Sequence, residues 1–277
     1  VKGVILAAGY GSRFLPITKS IPKEMLPLIT KPSIEFIIEE FIQSGIRDIL
    51  IVTSRRKKSL EDYLDREVEL ETAFSEEGSS RKLARVQPHN ARFFFTRQQR
   101  MRGTGHALLL TQPFVGNEPF VVAYPDDLHF GDVPLTAQLI DVYNGTGCCV
   151  LSSIYDPPNL SRYGILDIDT DGLHVKDVIE KPEGGTEPSK EASIGRYLYL
   201  PKIFDYLEEG FKCHEEGEYY HTWALRQLAA EGSVVFKRIE GERFDVGEPE
   251  GYLRAILRYA RTIPGLIRVL EEERSKI

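Results

Sequence analysis

Two glycines, Gly9 and Gly11, precede three cations, Arg13, Lys19 and Lys23, and the set suits a phosphate ligand. Glycine lets a ligand approach bare backbone N–H groups. Successive N–H groups in a turn form a concave cradle for anions, and a guanidinium adds a planar fork that matches phosphate oxygens. Pro16, Pro22 and Pro27 stiffen the path along which the cations are spaced. Two familiar phosphate motifs do not fit. A dinucleotide fingerprint needs a third small residue where Phe14 stands, and a P-loop needs four residues between its glycines, where only Tyr10 lies. Gly9 and Gly11 alone would mark no more than a strand-to-loop turn; the continuation Thr18-Lys19-Ser20-Ile21-Pro22-Lys23 changes that reading.

The elements that must position this loop can be read from periodicity. Val4-Ile5-Leu6-Ala7-Ala8 is too short for a helix and apolar throughout, as a strand buried on both faces is. Ile34, Ile37, Ile38, Phe41 and Ile42 recur at helical spacing, and Gly45 stops that helix. Further strands are predicted at 49–52, 92–96, 120–124 and 148–154, with helices leading from Gly103 and through Leu135, Leu139 and Val142. Strand, loop, helix, strand builds parallel sheet. Ligands of open α/β sheets bind beyond the carboxyl ends of the strands, and Gly9, Gln98 and Asp126 all fall at such ends. After residue 155 the rhythm changes. Thr170-Asp171-Gly172 is a hairpin turn between strands 164–169 and 173–179, and a further strand covers 193–200. Helices at 201–209 and 220–230 precede a strand at 234–239, and the end, 248–273, is helical with a break near Pro264-Gly265. The expectation is one α/β domain over 1–277. A Rossmann-like, mostly parallel sheet flanked by helices comes from about 1–155 and 233–262, and a smaller mixed β-sheet is inserted at about 156–232.

The length, 277 residues, is near the size at which a single core stops growing. A net charge of −7, from 35 Lys and Arg against 42 Asp and Glu, argues against nucleic acid or an anionic membrane as the main partner. Cys148, Cys149 and Cys213 are odd in number and lack Cys-x-x-Cys spacing, which fits a reducing compartment. No apolar stretch reaches the length of a membrane span, so a cytoplasmic protein is expected. The histidines show no metal-ligand spacing, and Cys213, His214 and His221 in a polar stretch do not make a zinc site.

The opening Ala7-Ala8-Gly9-x-Gly11-Ser12-Arg13-x-Leu15-Pro16-x-Thr18-Lys19, continued by Ile21-Pro22-Lys23-Glu24-Met25-Leu26-Pro27-Leu28, resembles the start of the bacterial UTP–glucose-1-phosphate uridylyltransferases. These are sugar-nucleotide pyrophosphorylases. The shorter glycine–arginine signal fits many sugar nucleotidyltransferases; the stretch from Ile21 to Pro27 is more specific to the uridylyl branch. The resemblance runs over roughly 2–261.

That resemblance implies attack of a sugar 1-phosphate, in line, on the α-phosphorus of UTP, with pyrophosphate leaving. A phosphate monoester loses its second proton at about pH 6, so the nucleophile is already anionic and needs no general base. The difficulty is electrostatic, and such a site should be rich in cations and contain a metal. The resemblance implies Arg13 and Lys23 as the catalytic cations, and Ala8, Gly9, Gly11, Gln98 and Gly103 at the nucleotide. It implies Gly164, Glu180 and Lys181 at the sugar phosphate, with Gly164 letting backbone approach the sugar. It assigns Asp126 and Asp245 to Mg²⁺, an ion held by one or two carboxylates plus substrate oxygens. Without it, each aspartate reads as a turn or cap residue, Glu180-Lys181 as a surface pair, Gln98 as a surface glutamine, and Lys19 as a solvated loop lysine. Asp127 is expected to point elsewhere, and Arg196 to be structural. Gln98 can pair with uracil through one acceptor and one donor, but by flipping its amide it can also pair with cytosine. The fixed backbone near Ala8 and Gly9 is therefore expected to reject CTP. The expected partners are UTP and glucose 1-phosphate, with no nucleic acid and no membrane, in a homodimer or homotetramer.

One segment departs from the family. Where relatives carry Gly-Glu-Ile-Gln-Leu-Thr-Asp, this chain reads Gly217-Glu218-Tyr219-Tyr220-His221-Thr222-Trp223. Tyr220 and Trp223 replace the Gln and the Asp, on what the resemblance makes the sugar side, so sugar identity and subunit contacts are open where the reaction class is not. Two further alternatives stay open: a nucleotidyltransferase for another base or sugar, and an idle sugar-nucleotide-binding protein. The joint presence of Arg13, Lys23, Asp126, Lys181 and Asp245 speaks against idleness, and Phe14 disfavours a nucleotide-cofactor dehydrogenase.

Overall fold

In the computed structural model, which describes residues 1–275, the opening apolar run forms strand β1 (Lys2–Leu6). Its side chains alternate and both sets are buried, Val4 and Leu6 in one core, Ile5 in the other, as in a central parallel strand. Helix α1 (Ser33–Gln43) buries the predicted Ile34, Ile37, Ile38 and Phe41 stripe and leads into β2 (Asp48–Thr53). Strands β3 (Arg92–Arg97) and β4 (Phe120–Ala123) complete a parallel unit in which Val4 lies opposite both Leu50 and Val122.

The chain continues through β5 (Asp127–Phe130), β6 (Cys149–Tyr155), β7 (Gly164–Ile168), β8 (Val175–Glu180), β9 (Glu191–Tyr199), β10 (Val234–Arg238) and β11 (Glu242–Asp245). One nine-stranded sheet runs in the order β8-β7-β9-β4-β1-β2-β3, with β6 also on β9 and β10 on β6. The fold class is the expected one. The strands expected in a separate smaller sheet instead continue the large one, because β9 bridges the two parts: Arg196 through Tyr199 pair with β4, and Ala192 pairs with Ile165 of β7. β9 is buried along its whole length, so no alternation in the sequence reveals which neighbours it has. Its register shifts between Ser193 and Tyr197, a bulge that re-aims the backbone around Gly195. β5 and β11, too short to be read from periodicity, form a separate antiparallel ribbon with Asp127 opposite Asp245.

Helices cover both faces. Past α2 (Thr104–Leu109), helix α3 (Leu135–Thr146) packs with α1 on one core, while α4 (Ile203–Cys213) and α5 (Thr222–Ala230) close the other with Phe204, Leu207, Leu225 and Leu228. Helices α6 (Pro249–Ala260) and α7 (Pro264–Arg274) end the chain, broken at Pro264 as expected. A buried ion pair ties the layers together. Arg196 Nε and Nη2 donate to Glu40 Oε1 and Oε2, each at 3.0 Å, and Glu40 also accepts from the Thr136 backbone at 3.0 Å and its hydroxyl at 2.5 Å. Burial opposes the charge on Glu40, but the Arg196 guanidinium outweighs it and holds the carboxyl below its usual range. Arg196 is structural, as expected. Among the described residues, no helix is long and apolar enough to cross a membrane.

Candidate active site

Gly9, Gln98 and Asp126 stand just beyond the ends of β1, β3 and β4. Gly11 takes φ +69°, and a Cβ there would lie 3.2 Å from Lys23 Cβ and 3.3 Å from Thr18 Cγ2. Glycine thus allows the loop to fold back on the Lys23 segment, where the Thr18 hydroxyl donates to the Gly11 carbonyl at 2.8 Å. Ala8 is buried and Gly9 exposed at the turn. Arg13 is exposed at the edge of a cavity of about 530 Å³, 3.8 Å from Glu248 Oε1. Lys19 lines a small hollow beside Gly9 and Tyr10 and does not line that cavity.

Lys23 is held in place. Its Nζ donates to Asp126 Oδ2 at 2.5 Å, and the neighbouring Glu24 is buried, accepting from Lys57 Nζ on both oxygens at 2.7 and 2.8 Å. Burial opposes both charges of the Lys23–Asp126 pair, but their attraction outweighs it, raising the lysine pKa and lowering that of the aspartate. Burial also pushes the Lys57 ammonium down, against the pull of Glu24.

The β5–β11 ribbon brings Asp126 and Asp245 together from distant parts of the chain, with the Val246 N–H donating to the Asp126 carbonyl at 2.8 Å. A Cβ built on Gly247 would lie 2.7 Å from Asp126 Oδ2 and 3.0 Å from Asp245 Oδ1, so both carboxylates crowd one small volume. Burial, with Asp126 and Asp127 nearby, raises the pKa of Asp245 although Arg243 opposes this. Asp127, expected to point elsewhere, lines the same cavity, but its carboxylate is taken up by structural partners. Its oxygens accept from Arg243 Nε at 3.0 Å and Nη2 at 2.8 Å, and from the Gly195 N–H at 3.0 Å at the β9 bulge.

Gly164 and Glu180, which pair across β7 and β8, also line the cavity. A Cβ on Gly164 would sit 3.3 Å from Glu180 Oε2, so glycine keeps that wall open. Lys181 takes φ +46°, a strained value for a residue with a side chain, and its N–H donates to the Tyr163 carbonyl at 3.0 Å. Its Nζ lies 3.9 Å from Glu180 Oε1 and 5.9 Å from the centre of the Tyr220 ring. Of the two altered positions, Tyr220 faces the cavity. Trp223 instead covers α4, where a Cβ on Gly210 would be 2.6 Å from the indole Cε3. His221 is buried against Tyr124, Tyr197 and Tyr199 and hydrogen-bonds the Thr104 hydroxyl at 3.0 Å. Burial lowers its pKa to about 4, which leaves it neutral near pH 7.

Gln98 is 4% exposed and borders a second hollow, of about 640 Å³, with Tyr10, Arg55, Arg56, Arg97 and Arg100. Its Nε2 donates to the Gly103 carbonyl at 3.0 Å and to His106 Nδ1 at 3.0 Å. A carbonyl can only accept, so the amide is anchored with its nitrogen on Gly103, and the flip that the residue type permits would break that bond. Gly103 takes φ +89°, and a Cβ there would strike the Tyr219 backbone. Tyr219 clasps this loop, its N–H donating to Arg102 O at 2.7 Å and its carbonyl accepting from the Gly105 N–H at 2.9 Å. The altered segment, expected on the sugar side, therefore touches the Gln98 side as well.

The family model described as nucleotidyl transferase matches residues 2–262. The chain belongs to that family. It is 41% identical over 272 residues to a UTP–glucose-1-phosphate uridylyltransferase of Staphylococcus haemolyticus, covering 95% of this chain and 93% of that relative. A solved structure described as UTP-bound UGPase from Acinetobacter baumannii superposes with a TM-score of 0.89 at 31% identity, over 100% of this chain and 99% of the other. A UDP-glucose pyrophosphorylase solved with UDP-glucose gives a TM-score of 0.81 at 38% identity, over 94% and 98%.

Several residues that line the cavity of this nucleotidyl transferase, or pair with residues placed at its site, carry no sequence signal for that role. Lys57 sits in Arg55-Arg56-Lys57-Lys58, which reads as solvated charge, and nothing local marks Glu24 as its partner. Arg243 has no motif that points to Asp127. Glu248, at the start of α6, gathers Arg13 and Arg162 from separate loops. His221 carries no periodic signal at all. The only pointer was its place in the altered segment.

Proposed function

We propose that this nucleotidyl transferase joins UTP and glucose 1-phosphate, releasing UDP-glucose and pyrophosphate by direct in-line displacement that requires Mg²⁺. The observation that carries the reading is one cavity lined by Asp126 and Asp245 and by Glu180 and Lys181. The names of the relatives support the pair of substrates.

Asp126 and Asp245 would hold the ion. Two carboxylates crowding one volume, one with a raised pKa, suit a hard cation that takes its remaining ligands from phosphate oxygens and water. When bound, the ion neutralises charge on the phosphates and polarises the α-phosphate. Lys23 and Arg13 receive the triphosphate and the departing pyrophosphate, with Lys23 oriented by Asp126 and its segment pinned by the Glu24–Lys57 pair. Lys181 meets the sugar phosphate, and Glu180 accepts from sugar hydroxyls. Gln98 turns its Oε1 toward uracil N3–H. Neutral His221 and its tyrosine neighbours form a wall that takes no proton.

The test is pyrophosphate release across a grid of nucleoside triphosphates and sugar 1-phosphates, in which UTP with glucose 1-phosphate should lead. A trapped uridylyl–protein adduct would overturn direct displacement. A second reading changes only the sugar, and Tyr220 favours it, because its ring lies in the cavity beside Lys181. Tyr220→Gln is expected to change the ranking of sugar phosphates by about twofold to tenfold in kcat/KM, the worth of one aromatic contact. Trp223→Asp should lower Tm and leave the ranking alone. A ranking untouched by Tyr220→Gln would remove Tyr220 from the sugar site.

A further inference from the structure

Gln98 is anchored at its nitrogen end by two acceptors of different origin. One, the Gly103 carbonyl, is backbone; the other, His106 Nδ1, is a side chain at the start of α2. Each takes one of the two amide hydrogens. No hydrogen bond to Oε1 exists among the described residues, and Gln98 borders the hollow beside Tyr10. The amide therefore presents an acceptor outward. Reversed, it would set Oε1 against the Gly103 carbonyl, a repulsive contact in place of a bond, and would keep its second bond only if His106 moved its proton from Nε2 to Nδ1.

We propose that His106 is a specificity-determining positioning residue: its Nδ1 locks the Gln98 amide in the orientation that accepts from uracil N3–H, and so turns CTP away. The inference rests on the reading that Gln98 faces the base. Cytosine N3 is itself an acceptor, so it would need the reversed amide, and the lock makes that orientation costly. The lock requires His106 to be neutral, with its proton on Nε2. Burial and the nearby Arg102 both lower its pKa, which favours the neutral ring, and accepting from the Gln98 amide is what places the proton on Nε2. His106 also packs against the Phe211 ring, 5.4 Å between centroids, which limits the motion of the imidazole. His106 touches the base only through Gln98.

The experiment compares UTP with CTP, by kcat/KM and by equilibrium titration, in the wild type and in two variants. His106→Leu keeps bulk against Phe211 and removes the acceptor. His106→Asn can place a carbonyl oxygen close to where Nδ1 stood. In His106→Leu the UTP-over-CTP ratio is expected to fall about fivefold to tenfold, the worth of one hydrogen bond. The change should appear in KM and binding, with kcat for UTP kept within about twofold. His106→Asn is expected to restore most of the ratio. A ratio unmoved in His106→Leu, or reduced as far by His106→Asn, would overturn the proposal while leaving Gln98 as the base reader. A wild type that does not prefer UTP to CTP would instead overturn the reading of Gln98, and the lock with it. If His106→Leu does not fold, His106→Ala in the same titration decides between these outcomes.

Discussion

Asp245→Asn is expected to lower kcat by about a hundredfold to a thousandfold, the range seen when one preorganised electrostatic contact is lost, while the metal-free protein becomes no less stable. The two effects have one cause. Asp245 shares its small volume with Asp126 and is partly buried, and its pKa is raised. A carboxyl whose folded pKa lies above its unfolded value contributes stability while protonated, below the unfolded pKa, and that contribution is lost as pH rises through the folded pKa. Above the unfolded pKa, Asp245 is therefore a burden on the metal-free fold. Asparagine removes the charge and keeps an oxygen for the Gly247 N–H, which donates to Asp245 Oδ1 at 3.0 Å. Thermal melts at pH 7 without metal should show an equal or higher Tm for the variant, with the difference fading toward acid pH. Mg²⁺ should raise the Tm of the wild type more than that of the variant, because only ligands bound to the folded state stabilise it.

Asp126→Asn should behave differently. Its pKa is lowered through Lys23 despite burial, so its charge contributes stability above the unfolded pKa that is lost as pH falls through the folded one. Removing that charge leaves Lys23 without its partner, and both activity and Tm should drop. Full turnover by either variant, or by the wild type in excess chelator, would end the assignment of a metal to this pair.

Glu40→Ala is expected to destabilise the protein by about 3–5 kcal/mol, because Arg196 would remain buried with no counter-charge. For a chain of this length that corresponds to a fall in Tm on the order of 10 °C. Arg196 is 1% exposed, and Glu40 also receives Thr136, so α1, α3 and β9 all lose a fixed point. The double replacement Glu40→Leu with Arg196→Met should be less destabilised than Glu40→Ala, since it leaves no orphaned charge. Urea unfolding of the three variants measures this. A Glu40→Ala protein within about 1 kcal/mol of the wild type, below that range, would mean that water reaches Arg196. Because Arg196 also donates to the Asp127 carbonyl at 3.3 Å, Glu40→Ala should lose some turnover even at temperatures where it stays folded.

The sequence by itself determined the elements and the loop. Apolar runs too short for helices mark β1, β2 and β4, and a helical stripe marks α1, because burial on two faces or on one stripe leaves a pattern within a few residues. Gly9, Gly11, Arg13 and Lys23 are likewise local, and the resemblance carried by that stretch agrees with the family to which the chain belongs. What only the tertiary structure decided is which distant groups meet. Asp126 approaches Asp245 because two four-residue strands pair, and strands so short have no periodicity. Lys57 reaches Glu24, Arg243 reaches Asp127, and Glu40 reaches Arg196, all through pairings that no spacing encodes. The orientation of the Gln98 amide is the sharpest case. Residue type allows either orientation, and the choice falls to the Gly103 carbonyl, which meets the amide nitrogen beside His106 Nδ1 only once the loop after β3 has folded back toward it. Local pattern reflects what each residue needs to bury; charge pairing and hydrogen-bond direction depend on the neighbours that burial brings.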